Sequence, residues 1–152
     1  MEILSLLQLN GRISNAEIAR QIEMAPSAVL ERIRKLEERG LIRGYFAQLD
    51  AQKLGCGLLA FVLVRTRGGG WDDETGRMMA AIPEVEEVHH IAGEDCFLVK
   101  LRTGDTAALG ALLRDRFQGV HNIQSTRTTI VLDTLKETLM IPMNTPAKEG
   151  AI

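Results

Sequence analysis

Two short helices joined by a tight turn are the feature that most restricts the fold of this chain. The stretch Ser14-Asn-Ala-Glu17 has the form of a capping box, in which Ser14 caps a helix and Glu17 reaches back to the cap. Pro26 suits the first position of a following helix, because an N–H there would have no helical partner. Only the turn Glu23-Met24-Ala25 separates the two helices. This arrangement predicts a helix-turn-helix.

The second helix of the pair is amphipathic. Val29, Ile33 and Leu36 recur at helical spacing and form its predicted buried stripe, and Gly40 ends it as a residue that accepts a left-handed conformation. Leu41–Phe46 then has the pattern of a strand, which would complete a winged domain. The residues on or beside the outward face are Ser27, Ala28, Glu31, Arg32, Arg34 and Lys35.

The distribution of charge favours DNA binding by this segment. The chain has a net charge of −2, which is not typical of a nucleic-acid-binding protein. Residues 26–44, however, contain five basic and three acidic residues, whereas residues 51–152 contain eleven basic and thirteen acidic ones. The first turns of a recognition helix meet base edges in the major groove. The predicted base contacts are Ser27, Ala28 and Glu31, the predicted phosphate contacts are Arg32, Arg34, Lys35 and Arg43, and the DNA-binding segment begins at Ser14.

A basic helix face is also compatible with a simply solvated surface, so the charge alone leaves that alternative open. The capping box, the short turn, the proline and the following predicted strand occur together with the basic face. In combination they favour DNA binding over a merely solvated helix.

The remainder of the chain predicts an α+β domain. Its order is strand, helix, strand, strand, helix, strand, the ferredoxin-like βαββαβ arrangement. Helices cover one face of such a sheet, and a bare face with apolar positions requires a partner, most simply a second copy. The predicted elements are Leu58–Val64, a helix with Trp71, Thr75, Met78, Met79 and Ile82 on one face, Val85–Ile91, a strand with Phe97, Val99 and Leu101, a helix from Asp105 to Gly119, and Ile123–Leu132.

Several classes of protein are disfavoured by the sequence. No apolar run reaches the 18 residues of a membrane-spanning helix, and the first residues do not form a secretory signal. Cys56 and Cys96 are isolated, which argues against a disulfide framework or a zinc site and fits a reducing cytoplasm. Catalytic triad ordering, metal-ligand spacing and phosphate-loop motifs are all lacking, and His89-His90 would point to opposite faces of a strand. We therefore expect no catalytic residues, no metal and no cofactor.

Several stretches together resemble the leucine-responsive regulatory protein (Lrp/AsnC) family of bacterial and archaeal transcription regulators. Each stretch is weak alone, but their order and spacing from about Leu4 to Pro142 are specific. They are Asn10–Ser14, Ser27–Ile42, Gly44–Asp50, Pro83–Val85, Ala92–Phe97, Thr126–Thr128 and Val131–Leu132. The resemblance implies a winged helix-turn-helix joined to a ligand-sensing domain that dimerises through its sheet. It also implies that dimers assemble further, commonly into octamers, and bind an amino-acid effector between them.

The effector site implied by the resemblance comprises Gly93, Glu94, Asp95, Thr126 and Thr128. Its turn would offer backbone N–H groups and carboxylates, and its threonines would offer hydroxyls, to a zwitterion. The chain departs from the family here, because Cys96 stands where the family commonly has aspartate and Asp95 stands one place earlier. Alternation along a strand would point Asp95 and Cys96 to opposite faces. The alternative is that residues 93–95 are only a turn and the threonines only strand formers.

These observations predict a DNA-binding domain over residues 1–46, a linker over 47–57, a ferredoxin-like effector-binding and oligomerisation domain over 58–141 and a mobile tail over 142–152. The predicted function is sequence-specific transcription regulation in response to a small molecule, with an amino acid as the expected effector. Two alternatives remain open at this point. One is an enzyme similar to siroheme decarboxylases, which resemble this family, and the other is a sensor that co-assembles with relatives without binding DNA.

Overall fold

A computed structural model describes residues 1–67 and 72–143. Trp71 and residues 144–152 of the predicted tail lie outside these ranges. The chain divides into two compact units: an N-terminal unit of residues 1–48 with the described part of 136–152, and a sheet-containing unit of residues 49–135.

The N-terminal unit is built on three helices, α1 (Glu2–Leu9), α2 (Asn15–Gln21) and α3 (Pro26–Glu38). Val29 and Ile33 of the predicted stripe are buried, and Leu36 packs against them half-buried. The predicted amphipathic helix beginning at Pro26 is therefore confirmed. The buried side chains of this core are Ile3, Ile18, Ala19, Val29 and Ile33.

The capping box at α2 is only half formed. Ser14 Oγ accepts a hydrogen bond from the Glu17 backbone N–H at 3.1 Å, as predicted. The Glu17 carboxylate does not reach back to the cap but binds the Arg20 guanidinium, with Nη2–Oε1 at 2.6 Å and Nε–Oε2 at 3.0 Å. A bidentate charged pair is stronger than one bond to a neutral N–H, so the guanidinium takes the carboxylate. Gln21 Nε2 also donates to Glu17 Oε1 at 2.7 Å. The hydrogen bonds from Arg20 and then from Gln21 lower the pKa of Glu17 to about 2.

The end of α3 confirms the predicted role of Gly40 and corrects the predicted strand after it. Gly40 has φ +70°, its N–H donates to the Glu37 carbonyl at 2.9 Å, and the Leu41 N–H donates to the Leu36 carbonyl at 2.9 Å. This is a Schellman motif. Residues 41–46 form no strand, because the N–H groups of Leu41 and Ile42 both turn back to Leu36 and the described part of the unit contains no strand to pair with. The helix-turn-helix is thus formed without a sheet in its wing.

The sheet-containing unit has the predicted βαββαβ order. The elements are β1 (Leu58–Thr66), α4 (Asp73–Ala80), β2 (Val85–His90), β3 (Phe97–Thr103), α5 (Thr106–Leu112), which continues into a π-helical turn (Leu113–Phe117), and β4 (Ile123–Ile130). The order of strands in the sheet is β2-β3-β1-β4, with every neighbouring pair antiparallel.

Alternation along the strands gives the sheet two unlike faces. The face towards the helices is buried and includes Val62, Val64 and Val99. The opposite face, here called the open face, carries half-buried apolar side chains at its centre, namely Phe61, Leu63 and Leu98. Charged residues of β1, β2, β3 and β4 surround that centre: Arg65, Glu86, Glu87, Lys100, Arg102 and Arg127.

Candidate DNA-binding and ligand-binding sites

The outward face of α3 presents the predicted DNA contacts to solvent. Ser27 and Glu31 are exposed in the first two turns, and Ala28 between them is half-buried. Arg32, Arg34, Lys35 and Arg43 are all exposed. Because Val29 and Ile33 on the opposite side of α3 are buried in the core, the outward face keeps a fixed orientation within the N-terminal unit.

Two of the predicted phosphate-binding side chains already have partners on α3. Lys35 Nζ lies 2.8 Å from Glu31 Oε1, and Arg34 Nε lies 2.9 Å from Glu38 Oε1. The hydrogen bond and charge of Lys35 lower the pKa of Glu31. Exposed pairs of this kind contribute little to stability, so their cations can exchange a carboxylate for a phosphate.

Other cations in the same region are unpaired. Within the described ranges, Arg32 and Arg43 make no ion pair. They need not leave a carboxylate before they contact a phosphate. Ser14, by contrast, uses its hydroxyl as the α2 cap, so any DNA contact at this position shares the hydroxyl with the helix start.

One exposed residue of α3 was not predicted as a contact. Leu30 is 57% exposed, although it lies between the buried Val29 and the outward Glu31. Helical spacing places it about 100° from Val29 on the flank that Arg34 shares. Its absence from the buried stripe was visible in the sequence and could have drawn attention to it. A large apolar side chain on a recognition helix is suited to contact the methyl group of thymine.

A polar pocket with a volume of about 330 Å³ lies at one end of the open face. It includes Glu94, Asp95 and Thr126 of the predicted effector site, but neither Gly93 nor Thr128 lines it. Thr126 and Thr128 pair with Val64 and Val62, which are buried on the helix-facing side of the sheet, so alternation places both threonine side chains on that side. The residues that line the pocket are Arg65, Glu94, Asp95, Ser125, Thr126 and Arg127.

Two arginines and two carboxylates form a network across this pocket. Arg65 Nη2 donates to Glu94 Oε2 at 2.7 Å, and Arg127 Nη2 donates to Asp95 Oδ2 at 3.1 Å. Asp95 Oδ1 lies 3.8 Å from Arg65 Nε, too far for a hydrogen bond. The Arg65 Nε atom is buried without a hydrogen-bond acceptor among the described residues. Glu94 is 89% exposed and Asp95 only 22% exposed, so Asp95 is the fixed carboxylate and Glu94 the movable one.

The pocket arginines and Ser125 were missed by sequence reasoning, because their proximity depends on strand register. Arg65 pairs with Ser125 across β1 and β4, and Leu63 pairs with Arg127. The sequence showed only that Arg65 ends an apolar run. Nothing in it set which residue of the last strand would lie beside that end.

Asp95 and Cys96 point to opposite faces, as alternation predicted. The Asp95 carboxylate meets Arg65 and Arg127 on the open face. The Cys96 side chain is buried on the other face, where the Thr66 hydroxyl donates to its sulfur at 3.1 Å. Cys96 therefore cannot contribute its side chain to the pocket that Asp95 lines.

The histidines follow the same rule of alternation. His89 Nε2 lies 2.8 Å from Glu87 Oε2, whereas the His90 ring stacks on Phe97 with centroids 4.5 Å apart. In residues 1–67 and 72–143, no three His, Cys, Asp or Glu side chains cluster in a way that could hold a metal ion. None of the helices in those ranges is both long and apolar enough to cross a bilayer.

Comparison with known proteins finds two matching family models, one in the N-terminal part of the chain and one in the C-terminal part. Residues 1–43 match the family model for a winged helix-turn-helix DNA-binding domain, and residues 59–141 match that for the Lrp/AsnC ligand binding domain.

Individual relatives match almost the whole chain. The HTH-type transcriptional regulator FL11 of Pyrococcus horikoshii is 36% identical over 142 residues, which cover 93% of each protein. The leucine-responsive regulatory protein of Escherichia coli is 32% identical over 94% of this chain and 88% of its own. A transcriptional regulator of Neisseria meningitidis, solved in complex with L-methionine, superposes with a TM-score of 0.87 at 30% identity and covers 94% of both chains. The chain belongs to the Lrp/AsnC family of transcription regulators.

Proposed function

We propose that the outward face of α3 enters the major groove of DNA and that ligand binding at the polar pocket adjusts this interaction. The observation that carries the proposal is the exposed face of α3, which is basic and locked to its core by Val29 and Ile33. A rigid helix that presents cations and short side chains on one face has the requirements for groove binding.

The proposed DNA contacts divide by chemistry. Ser27, Ala28 and Glu31 are proposed to meet base edges, because they lie in the first two turns of α3. Arg32, Arg34, Lys35 and Arg43 are proposed to neutralise phosphates, with Ser14 at the start of α2 near the backbone. Phosphate contacts provide affinity and position, whereas base contacts provide specificity.

The proposed effector is an amino acid. A zwitterion needs a cationic partner for its carboxylate and an anionic partner for its ammonium group, and the pocket offers both within one volume of about 330 Å³. A Neisseria meningitidis relative is bound to L-methionine, which supports a response to amino acids in this chain as well. Gly93 and Thr128 of the predicted site would act from outside the pocket lining, through the turn and the strand.

We further propose that the protein is a homodimer, built through the open face, that assembles into a larger ring such as an octamer. The apolar centre formed by Phe61, Leu63 and Leu98 is the support for this, because apolar side chains at the middle of an otherwise charged face suit a second copy. We also propose that the protein is cytoplasmic, as expected of a regulator that binds DNA.

We propose no catalytic activity for this chain. Its named relatives are transcriptional regulators, and His89 and His90 lie on opposite faces of their strand. A chromophore that copurifies and absorbs visible light would favour the decarboxylase-like alternative instead. Failure to bind any DNA in a salt-dependent way would favour the co-assembling sensor.

Selection of a binding site from randomised duplex DNA, followed by affinity measurements over a range of salt concentrations, tests the proposal. We expect the slope of log affinity against log salt to fall by about 1 for each phosphate contact removed, so Arg32→Ala and Arg43→Ala should each lower it. Arg114→Ala, an exposed change on the π-helical turn, is the matched control and should leave the slope unchanged. If no site is enriched over random DNA, the proposal of sequence-specific binding fails.

A further inference from the structure

The polar pocket has a chemistry of its own that narrows the class of effector. Every residue that lines it is charged or carries a hydroxyl group. A leucine or methionine side chain would find no apolar side chain among the residues that line the pocket, and burial of apolar surface is the main source of affinity for such side chains. The described pocket therefore disfavours an apolar amino acid.

Glu94 occupies the position that a ligand carboxylate would take. Its carboxylate lies 2.7 Å from Arg65 Nη2, yet the side chain is 89% exposed and belongs to a turn. Exposed ion pairs are weak, so Glu94 can turn towards solvent at little cost. A ligand carboxylate in its place would bind the same guanidinium and could also reach the buried Arg65 Nε, which has no acceptor at present.

Arg127 offers a second cationic partner. Its side chain is 71% exposed, and within the described ranges its guanidinium makes one hydrogen bond, from Nη2 to Asp95. The remaining N–H groups are available to a second carboxylate. Once Glu94 has moved away, two guanidinium groups and the Asp95 carboxylate leave the pocket with one net positive charge.

We propose that the effector is an acidic amino acid, with one carboxylate on Arg65, the other on Arg127, and the ammonium group on Asp95 beside the hydroxyl of Ser125. Such a ligand carries one net negative charge, which matches the pocket after Glu94 has moved. Bidentate recognition of carboxylates by arginine supplies both affinity and geometry. This inference rests on the proposed effector role of the pocket.

The test is calorimetric titration of the full-length protein with a panel of ligands supplied as pH-matched salts. L-Glutamate and L-aspartate are the expected ligands, L-glutamine and L-asparagine are their uncharged isosteres, L-leucine and L-methionine are apolar comparators, and glutarate lacks the ammonium group. We expect the acidic amino acids to bind at least about tenfold more tightly than every other member of the panel, since one charge-assisted hydrogen bond is worth about that factor or more.

Variants separate the roles of the pocket side chains. Arg127→Ala should weaken binding of the preferred acid by about ten- to a hundredfold. Glu94→Gln should tighten binding by up to about fivefold, because it removes the competing carboxylate. Arg77→Ala, which removes an exposed arginine of α4 outside the pocket, is the matched control and should change nothing.

The outcomes separate this inference from the proposed function. Tighter binding of L-leucine or L-methionine than of the acids would overturn the inference and leave an amino-acid effector in place. Equal binding of glutarate and L-glutamate would overturn the assignment of the ammonium group to Asp95, and with it an amino acid as the ligand. If no member of the panel binds, the inference fails, and titration with the remaining amino acids decides whether the proposed effector fails with it. DNA binding is judged separately by its salt dependence.

Discussion

Leu30 combines exposure with an apolar side chain on the helix proposed to enter the major groove. It is 57% exposed on α3, one residue before Glu31. An apolar side chain there gains contact area from a thymine methyl group, whereas a truncated one does not. We expect Leu30→Ala to weaken binding to the selected site by about 1–3 kcal/mol, measured by fluorescence anisotropy. Uracil in place of the contacted thymine should weaken wild-type binding similarly.

The decisive comparison combines the two changes. If Leu30 acts through the methyl group, the variant should bind thymine- and uracil-containing sites equally, because the contact is already lost. Additive effects would instead show that Leu30 stabilises the domain without reading DNA, and circular dichroism of the free variant provides the independent check on folding.

Gly40 is a residue whose role rests on the backbone alone. Its φ of +70° belongs to the left-handed region, and a Cβ atom there would meet no heavy atom within 4 Å. Gly40→Ala should therefore cost about 1 kcal/mol in unfolding free energy through backbone strain and not through a clash. Urea denaturation measures this cost.

Gly11→Ala is the matched control for Gly40, since Gly11 does not have positive φ and its nearest neighbour, Tyr45 Cδ1, lies at an ordinary 3.8 Å. Equal costs for the two variants would contradict the assignment of strain to Gly40.

At the scale of elements, Asp72 ties the start of α4 to the start of β4. Its carboxylate accepts hydrogen bonds from the Thr75 backbone N–H at 3.1 Å, the Thr75 hydroxyl at 2.7 Å and Asn122 Nδ2 at 2.6 Å. These bonds, led by that of the Thr75 hydroxyl and then that of Asn122, lower the pKa of Asp72 below its ordinary value. Asp72→Ala should cost about 1 kcal/mol at neutral pH, the usual value of a helix cap.

The pH dependence of this variant has a definite sign. Because the folded pKa of Asp72 is lowered, the carboxylate stabilises the fold above the unfolded pKa of about 4, and this stabilisation is lost as the pH falls through the lower folded value. The difference in unfolding free energy between wild type and Asp72→Ala should therefore shrink below about pH 4. Asp73→Ala, which removes an exposed carboxylate of the same helix turn whose pair with Arg77 is long at 3.9 Å, is the control. A difference between wild type and Asp72→Ala that does not change at low pH would contradict the role of ionised Asp72.

Some elements of the fold could be predicted from the sequence and others could not. Periodicity predicted the helices of the N-terminal unit and the order of the strands, because helical stripes and strand runs record which side is buried. The prediction of a strand at Leu41–Phe46 was wrong. A stretch of high β-propensity forms a strand only beside a partner strand, and here the first N–H groups donate to a carbonyl of α3 instead. Periodicity also missed the π-helical turn at Leu113–Phe117, where the apolar spacing still fits an ordinary helix.

The face of α3 and the polar pocket also differ in how far they could be predicted from the sequence. The face of α3 could be predicted because it depends on one local period. Of the residues that line the pocket, only Glu94, Asp95 and Thr126 were predicted. Arg65 and Arg127 approach these residues through the pairing of β1 with β4, and a register between distant strands is not written in either strand alone.

At the scale of the whole molecule, the open face bears on assembly. Its charges are paired with one another: Arg102 Nε lies 2.8 Å from Glu86 Oε1 and Lys100 Nζ lies 3.1 Å from Glu86 Oε2. The hydrogen bond of His89, with the nearby Lys100, lowers the pKa of Glu87. Charges that already have partners can be covered at lower cost than isolated ones, so this rim opposes a second copy over the apolar centre less than unpaired charges would.

Leu98→Glu tests whether the open face holds two copies together. Leu98 lies between Leu63 and His89 of the neighbouring strands. If a second copy covers the open face, a carboxylate at this position would be buried where the wild type has no partner for a charge. We expect the dimer dissociation constant to rise at least about a hundredfold, because an unpaired buried charge costs several kcal/mol. Sedimentation velocity over a range of protein concentrations measures the change.

Ala107→Glu, an equally charged substitution at an exposed position of α5, is the control and should sediment like the wild type. Circular dichroism should give Leu98→Glu the helix and strand content of the wild type, since the core on the other face of the sheet is untouched. A Leu98→Glu protein that assembles as the wild type does would place the contact between copies on another surface. The DNA-binding helices would then be spaced by that surface and not by the sheet.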